Sequence, residues 1–107
     1  MNQPSFPRCL LAVALASGLS LGSLANAEDT IKIGVAGPMT GGYAAFGEQF
    51  WRGASQAAED INAAGGVDGK KIELVKGDDA CEPKQATAVA NRLLDQDKVA
   101  AVVGHFC

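Results

Sequence analysis

Residues 31–42 read IKIGVAGPMTGG, a β-branched alternation that breaks into a run rich in glycine. The alternation predicts a strand over Ile31–Ala36, and the loop formers that follow it end the strand. From about Ala44 the apolar residues recur at helical spacing, which predicts a helix with one apolar face. That face carries Phe50, Ala54, Ala57, Ala58 and Ile61. The pair at 65–66 is Gly-Gly and ends the helix, because glycine readily adopts the left-handed conformation of a helix cap.

The second half of the chain repeats this order. A turn at Asp68-Gly69 leads into a predicted strand over residues 71–76, and residues 78–82 form a polar loop. Pro83 suits the first turn of a second helix. The apolar face of that helix carries Ala86, Val89, Ala90, Leu93 and Leu94. Residues 99–103 are a near-continuous apolar run, as expected of a parallel strand covered on both faces.

This strand-helix-strand-helix-strand order predicts an α/β fold, a parallel β-α-β-α-β sheet with right-handed crossovers. Ligands of such sheets lie beyond the carboxyl ends of the strands. The segments 37–47, 78–82 and 105–107 meet at that edge. If the first strand lies between the other two, the second and third segments must reach across it to touch.

Residues 1–27 have the organisation of a cleavable signal peptide. Arg8 supplies positive charge, an apolar stretch runs from Cys9 to Leu24, and residues 25–27 read Ala-Asn-Ala. The alternative is a membrane anchor, but an apolar stretch of about 16 residues is shorter than the roughly 20 needed to span a bilayer. Cys9 precedes the apolar core and does not fit a lipoprotein signal. We expect export to the periplasm, with residues 28–107 as the mature part.

Charge and motifs exclude several classes of function. Acidic side chains outnumber basic ones by 12 to 9, for a net charge of −3, which argues against a nucleic-acid partner. The glycine-rich loop lacks both the dinucleotide fingerprint and the phosphate-binding loop motif. Its glycines either permit turns or let backbone amides approach a small anionic ligand near the helix N-terminus. No catalytic constellation emerges, and we expect neither an enzyme nor a cofactor.

Cys81 and Cys107 are the cysteines that remain after cleavage of the signal peptide. An oxidising compartment favours a disulfide between them, and two free thiols or a metal site are the alternatives. His105 and Cys107 also suggest a metal or a thiol nucleophile, but two groups without a third partner make neither. We therefore predict no metal site. Asp78 and Asp79 are expected to be solvated loop acids, or one of them to cap a turn.

Phe46 and Phe106 are the aromatic residues of interest at the predicted ligand edge. Phe46 precedes the apolar face of the first helix, and Phe106 follows the last strand. An aromatic side chain in either place could plug the core or line a pocket. Both interpretations remain open from the residues alone.

Four segments of the chain resemble one known family. They are residues 28–41, residues 53–66, the run DDACEPKQA at 78–86, and VGHFC at 103–107. These segments resemble the periplasmic binding proteins for branched-chain amino acids (leucine, isoleucine and valine), which are the receptors of ABC importers. The resemblance covers essentially all of residues 28–107, and its most specific part is the matching context of both cysteines.

The resemblance implies a two-lobed type I binding protein in which ligand is trapped between lobes. Residues 28–107 would be the N-terminal part of lobe 1 and incomplete. By resemblance, Cys81 and Cys107 form the family's disulfide, and Phe46 lines the pocket for the ligand side chain. Phe106 and Cys107 lie on the segment that packs against this pocket. The groups that hold the ligand carboxylate and ammonium would lie beyond Cys107.

The resemblance also implies the partners. The ligand would be a small amino acid, and the receiving partner a membrane permease of an ABC importer. The full-length receptor would be a monomer. The alternatives are a ligand-sensing domain of the same architecture in a signalling protein, a receptor for another small amide or aromatic acid, and an exported α/β enzyme.

Overall fold

The computed structural model describes residues 30–107. The predicted signal peptide, residues 1–27 with Cys9, lies outside the described residues. The elements are β1 (Thr30–Gly37), α1 (Ala44–Ala63), β2 (Lys71–Asp78), α2 (Pro83–Asn91) and β3 (Ala101–Val103). A π-helical turn, Arg92–Gln96, continues α2. The predicted β-α-β-α-β order is confirmed, and no helix within residues 30–107 combines the length and apolar character that crossing a membrane requires.

The three strands form one parallel sheet in the order β2-β1-β3. The central strand is therefore β1, with Gly34 beside Val75 of β2 and Val102 of β3. Because β1 lies between β2 and β3, the segments that follow β2 and β3 are each next to the end of β1 and not next to each other. They can meet only by crossing over the end of β1, as the sequence analysis anticipated for this strand order.

One face of the sheet packs against α2 and its π-helical turn. Val89 and Leu93 are buried there with Ala36 and Val99. Gly77 makes this close approach possible, since a Cβ on it would lie 2.5 Å from Val89 Cγ1. Leu94, by contrast, is 55% exposed, although the helical pattern predicts it on the apolar face. The wider π-helical turn explains the difference, because it departs from the 3.6-residue period on which that prediction rests.

The other face packs against α1, mostly over β1 and β2. The predicted apolar face of α1 lies there opposite Ile33, Val35 and Leu74, and between them is an apolar groove of about 520 Å³. The groove extends to Val103, which is 45% exposed. The prediction that the third strand is covered on both faces is therefore wrong for the described residues, because α1 does not extend over β3.

Helix α1 is held at both ends by specific contacts. At its start, Gly47 is buried against Pro38, and a Cβ on it would collide with the Pro38 carbonyl. At its end, Gly65 and Gly66 have positive φ, and their amides donate to carbonyls of the last helical turn, as predicted for the cap. The Asn62 side chain then bridges to β2 by accepting from the Ile72 amide (2.7 Å) and donating to the Ile72 carbonyl (2.9 Å).

Candidate functional site

Asp78 ties together the loops that follow β1 and β2. Its Oδ1 accepts from the amides of Met39 (2.8 Å), Thr40 (3.2 Å) and Ala80 (3.0 Å), and its Oδ2 accepts from the Thr40 hydroxyl (2.6 Å). Burial opposes ionisation, but the Thr40 hydroxyl and these amides together hold the pKa of Asp78 below its ordinary value of 3.8. Of the two acids at 78–79, Asp78 is therefore the one that caps a turn, which is one of the two roles predicted from the sequence.

The Asp78 carboxyl also explains the role of two backbone amides in the glycine-rich loop after β1. From the sequence alone, amides of this loop could approach a small anionic ligand. In the structure the Met39 and Thr40 amides already donate to Asp78, an anion supplied by the chain itself. These two amides therefore hold the loop in place, and the loop in turn positions the first turn of α1.

Asp79 is buried, with 1% of its surface exposed, so the expectation that it is a solvated loop acid is wrong. Its Oδ1 accepts from the Cys81 amide (2.9 Å), and its Oδ2 lies 2.7 Å from His105 Nδ1 in a hydrogen bond. Its own amide donates to the Gly37 carbonyl at the end of β1 (3.0 Å). His105 therefore has a hydrogen-bond partner in the Asp79 carboxyl, 26 residues away along the chain. Burial of an acid is tolerable here because both carboxyl oxygens are hydrogen-bonded.

The two cysteines are joined in a disulfide, with Cα atoms 5.4 Å apart. Both flanking segments turn over the end of the central strand. Ala80 and Cys81 have φ of 48° and 58°, a left-handed pair that turns the chain after Asp79. Gly104 has φ of 118°, and a Cβ on it would collide with the Ala36 carbonyl of β1. These turns let Cys81 and Cys107 meet across β1, as the strand order requires.

An aromatic cluster of Tyr43, Phe46, Phe50 and Phe106 lies at the same edge. Phe46 and Phe106 are stacked, with ring centroids 5.8 Å apart and planes 20° apart. Phe50 lies 6.4 Å from Phe106, and Tyr43 lies 6.5 Å from Phe46. Phe46 and Phe106 are about half exposed, so neither side chain fills the hydrophobic core of the described residues. Tyr43 was not singled out from the sequence, although its position three residues before Phe46 on the helix start is a usable signal.

The site residues predicted from the sequence therefore lie together. Phe46 and Phe106 form the exposed stacked pair, and Cys107 follows Phe106 directly and anchors it through Cys81. The hydrogen bond between Asp79 and His105 also links this segment to the loop after β2. An apolar surface backed by buried polar contacts suits recognition of an apolar group, because the aromatic faces are presented on a fixed backbone.

Known proteins match this chain in sequence and in fold. The family model described as periplasmic binding protein matches residues 30–106. An amino acid binding protein of Pseudomonas aeruginosa is 65% identical over 107 residues, which are 100% of this chain and 28% of that protein. The Leu/Ile/Val-binding protein of Escherichia coli K12 is 49% identical over 100 residues, which are 94% of this chain and 26% of that protein. The chain thus spans only 28% and 26% of the length of these two relatives.

A solved structure matches the fold as well as the sequence. It is the branched-chain amino acid transporter substrate binding protein LivJ from Streptococcus pneumoniae, in complex with isoleucine. The superposition has a TM-score of 0.68 and 47% identity, and covers 71% of this chain and 22% of that one. The chain therefore belongs to the periplasmic binding protein family, as a parallel β-α-β-α-β unit of the type I fold.

Proposed function

We propose that this chain is part of lobe 1 of a periplasmic receptor for branched-chain amino acids, which delivers its ligand to the permease of an ABC importer. The observation that carries the proposal is the stacked, half-exposed Phe46–Phe106 pair at the carboxyl edge of the sheet. An aliphatic side chain of leucine, isoleucine or valine would lose water against these rings. The names of the relatives and the isoleucine in the solved structure support this ligand class.

In this proposal Phe46 and Phe106 are the apolar wall of the pocket. Cys107 holds the wall in place by linking its segment to the loop after β2. Tyr43 extends the wall along the helix start. The proposal includes no catalysis, because Asp78, Asp79, His105 and both cysteines are engaged with one another or with the backbone. Residues 1–27 serve as the cleavable export signal.

A chimaera tests the proposal. Residues 28–107 replace the matching segment of the Escherichia coli Leu/Ile/Val-binding protein, and isoleucine binding is measured by calorimetry. We expect the chimaera to bind isoleucine. Phe46→Ala and Phe106→Ala should each weaken binding by about tenfold to a hundredfold, because a buried aromatic contact contributes roughly 1.5–3 kcal/mol.

Trp51→Ala is the matched control. Trp51 also lies on α1, but its ring packs under Lys76 Nζ (4.3 Å) rather than in the aromatic cluster. Its removal should change isoleucine affinity by less than about threefold, as for residues outside a binding hot spot. A chimaera that folds but binds isoleucine equally well with both phenylalanines removed would contradict the assignment of the wall.

A further inference from the structure

Phe106 lies on a segment that no strand holds in place. Strand β3 ends at Val103, and within the described part of the chain no backbone hydrogen bond joins residues 105–107 to another segment. The position of Phe106 therefore depends on side-chain contacts. The disulfide of Cys107 provides one link on the far side of Phe106, and His105 provides a second link on the near side.

His105 is joined to the central strand through Asp79. Its Nδ1 lies 2.7 Å from Asp79 Oδ2 and donates to it, because a carboxylate oxygen can only accept. The Asp79 amide in turn donates to the carbonyl of Gly37, the last residue of β1 (3.0 Å). Asp79 is buried, and its other carboxyl oxygen accepts from the Cys81 amide. The carboxyl that holds His105 is therefore itself fixed to the end of β1.

Phe106 packs on the same residue of β1. A Cβ built on Gly37 would lie 3.4 Å from Phe106 Cβ, so the Phe106 side chain begins directly against this glycine. Gly37 thus contacts Asp79 through its carbonyl and Phe106 through its Cα. His105 closes this set of contacts, since it binds Asp79 and precedes Phe106 in the chain. From this position the Phe106 ring stacks on Phe46.

We propose that His105 is a positioning residue for ligand binding: its hydrogen bond to Asp79 holds Phe106 where the ring faces the ligand side chain. This role rests on the proposed function, in which Phe46 and Phe106 form the apolar wall of the pocket. Loss of the Nδ1 donor leaves a buried carboxylate oxygen unpaired, and the segment shifts so that water can reach that oxygen. A polar contact outside the wall thus contributes to the affinity of an apolar site.

Two substitutions of similar shape separate the donor from the bulk of the side chain. The amide nitrogen of asparagine stands the same number of bonds from Cα as Nδ1 of histidine, whereas leucine has the same branching and no donor. In the isoleucine-binding chimaera, His105→Asn should retain the parent affinity within about threefold, and His105→Leu should lower it about tenfold. Equal affinity of the two variants would overturn the positioning role.

A substitution of the partner tests whether the effect of His105 passes through Asp79. Asp79→Ser keeps a hydroxyl that can accept from the Cys81 amide, but it offers no second oxygen to His105. In the Asp79→Ser chimaera, His105→Leu should change isoleucine affinity by less than about twofold, because the hydrogen bond is already absent. A further loss of about tenfold would show that His105 acts by another route, which contradicts the proposal.

A measurement on the full 107-residue chain separates this role from the proposed function. Nuclear Overhauser contacts between the ring protons of Phe46 and Phe106 report the stacked pair without any ligand. These contacts should persist in His105→Asn and be lost in His105→Leu, while the far-ultraviolet circular dichroism of both variants stays that of the parent. If His105→Leu does not fold, His105→Gln replaces it with the same expected results, since its amide nitrogen stands one bond further from Cα.

The two measurements fail in different ways. A parent chimaera that binds no isoleucine, together with ring contacts that follow this pattern, would refute the proposed function and leave the positioning of Phe106 by His105 supported. Ring contacts that remain unchanged in a folded variant without the Nδ1 donor would overturn the positioning role, whatever the chimaera binds.

Discussion

Replacing Asp78 by asparagine tests whether one carboxylate holds the site's loops together. Asp78→Asn preserves the size and one oxygen acceptor of the side chain, but it removes the negative charge that faces the amides of Met39, Thr40 and Ala80. It also places an NH₂ group opposite the Thr40 hydroxyl, which must rotate to accept instead of donating. The substitution therefore isolates the contribution of charge from that of shape.

The expected loss of stability follows from these contacts. Hydrogen bonds to a charged group contribute roughly 1.5–3 kcal/mol each, against about 0.5–1.5 kcal/mol for neutral pairs. Asp78 is only half-buried, so water compensates much of the difference for each bond. We expect Asp78→Asn to lower the free energy of unfolding by about 2 kcal/mol at neutral pH, or about thirtyfold in the unfolding equilibrium constant.

The loss should depend on pH in a direction set by the lowered pKa. Because the pKa of Asp78 in the folded chain lies below 3.8, ionised Asp78 stabilises the fold above the unfolded-state pKa. This stabilisation falls away as the pH drops from the unfolded-state value through the folded-state value. The difference between parent and Asp78→Asn should therefore be largest near pH 7 and smaller at about pH 2, below the unfolded-state pKa.

Urea unfolding of the oxidised chain, followed by far-ultraviolet circular dichroism at both pH values, measures the effect. Asp95→Asn is the control, since Asp95 is an exposed acid on the π-helical turn. Its cost should stay within about 0.5 kcal/mol at either pH. A cost below about 0.5 kcal/mol for Asp78→Asn at pH 7, or the same cost at both pH values, would refute the role assigned to the carboxylate.

Three further predictions concern packing, the disulfide and the extent of the site. Gly47→Ala should lower the free energy of unfolding by about 2 kcal/mol or more in thermal unfolding, because the added Cβ meets the Pro38 carbonyl. Gly53→Ala is the control: it lies in open space on the same helix and should raise the free energy of unfolding by about 0.5–1 kcal/mol. Equal effects of the two would contradict the close contact. Joint Cys81→Ser and Cys107→Ser substitution should lower the free energy of unfolding in urea by about 3.5 kcal/mol, because the loop between the two residues is no longer closed in the unfolded chain. A loss under about 1 kcal/mol would argue against the stabilising role of the disulfide. The 107-residue chain by itself should show no micromolar leucine binding in calorimetry, because the half-exposed wall cannot bury the roughly 70–90% of a ligand that a pocket buries.

The order of elements could be predicted from the sequence because it rests on local periodicity. The apolar face of α1 and the alternating pattern of β1 depend on backbone geometry over a few residues. The helix and the strand predicted from them are both confirmed. The same local reasoning misplaced Leu94, because a π-helical turn changes the period without a clear mark in composition. It also expected β3 to be covered on both faces, since an apolar run does not reveal whether a helix extends over it.

In the candidate site, too, local features could be predicted from the sequence and contacts between distant segments could not. The sequence indicated Phe46, Phe106 and the two cysteines, since each follows or precedes an element whose end could be located. The burial of Asp79 could not be predicted, because its hydrogen-bond partner His105 is 26 residues away along the chain. Equally, nothing local indicated that the Met39 and Thr40 amides would be occupied by a carboxyl from the end of β2.

By itself, then, the sequence determined the α/β class and the order of the elements, and it predicted the carboxyl edge as the place of binding. Only the tertiary structure decided that β1 is central, that Asp79 is buried, and that the two phenylalanines stack. The physical reason is that side-chain periodicity is set by backbone geometry over one or two turns. Burial and hydrogen bonding of polar groups, by contrast, depend on strand order, which brings residues from distant segments into contact.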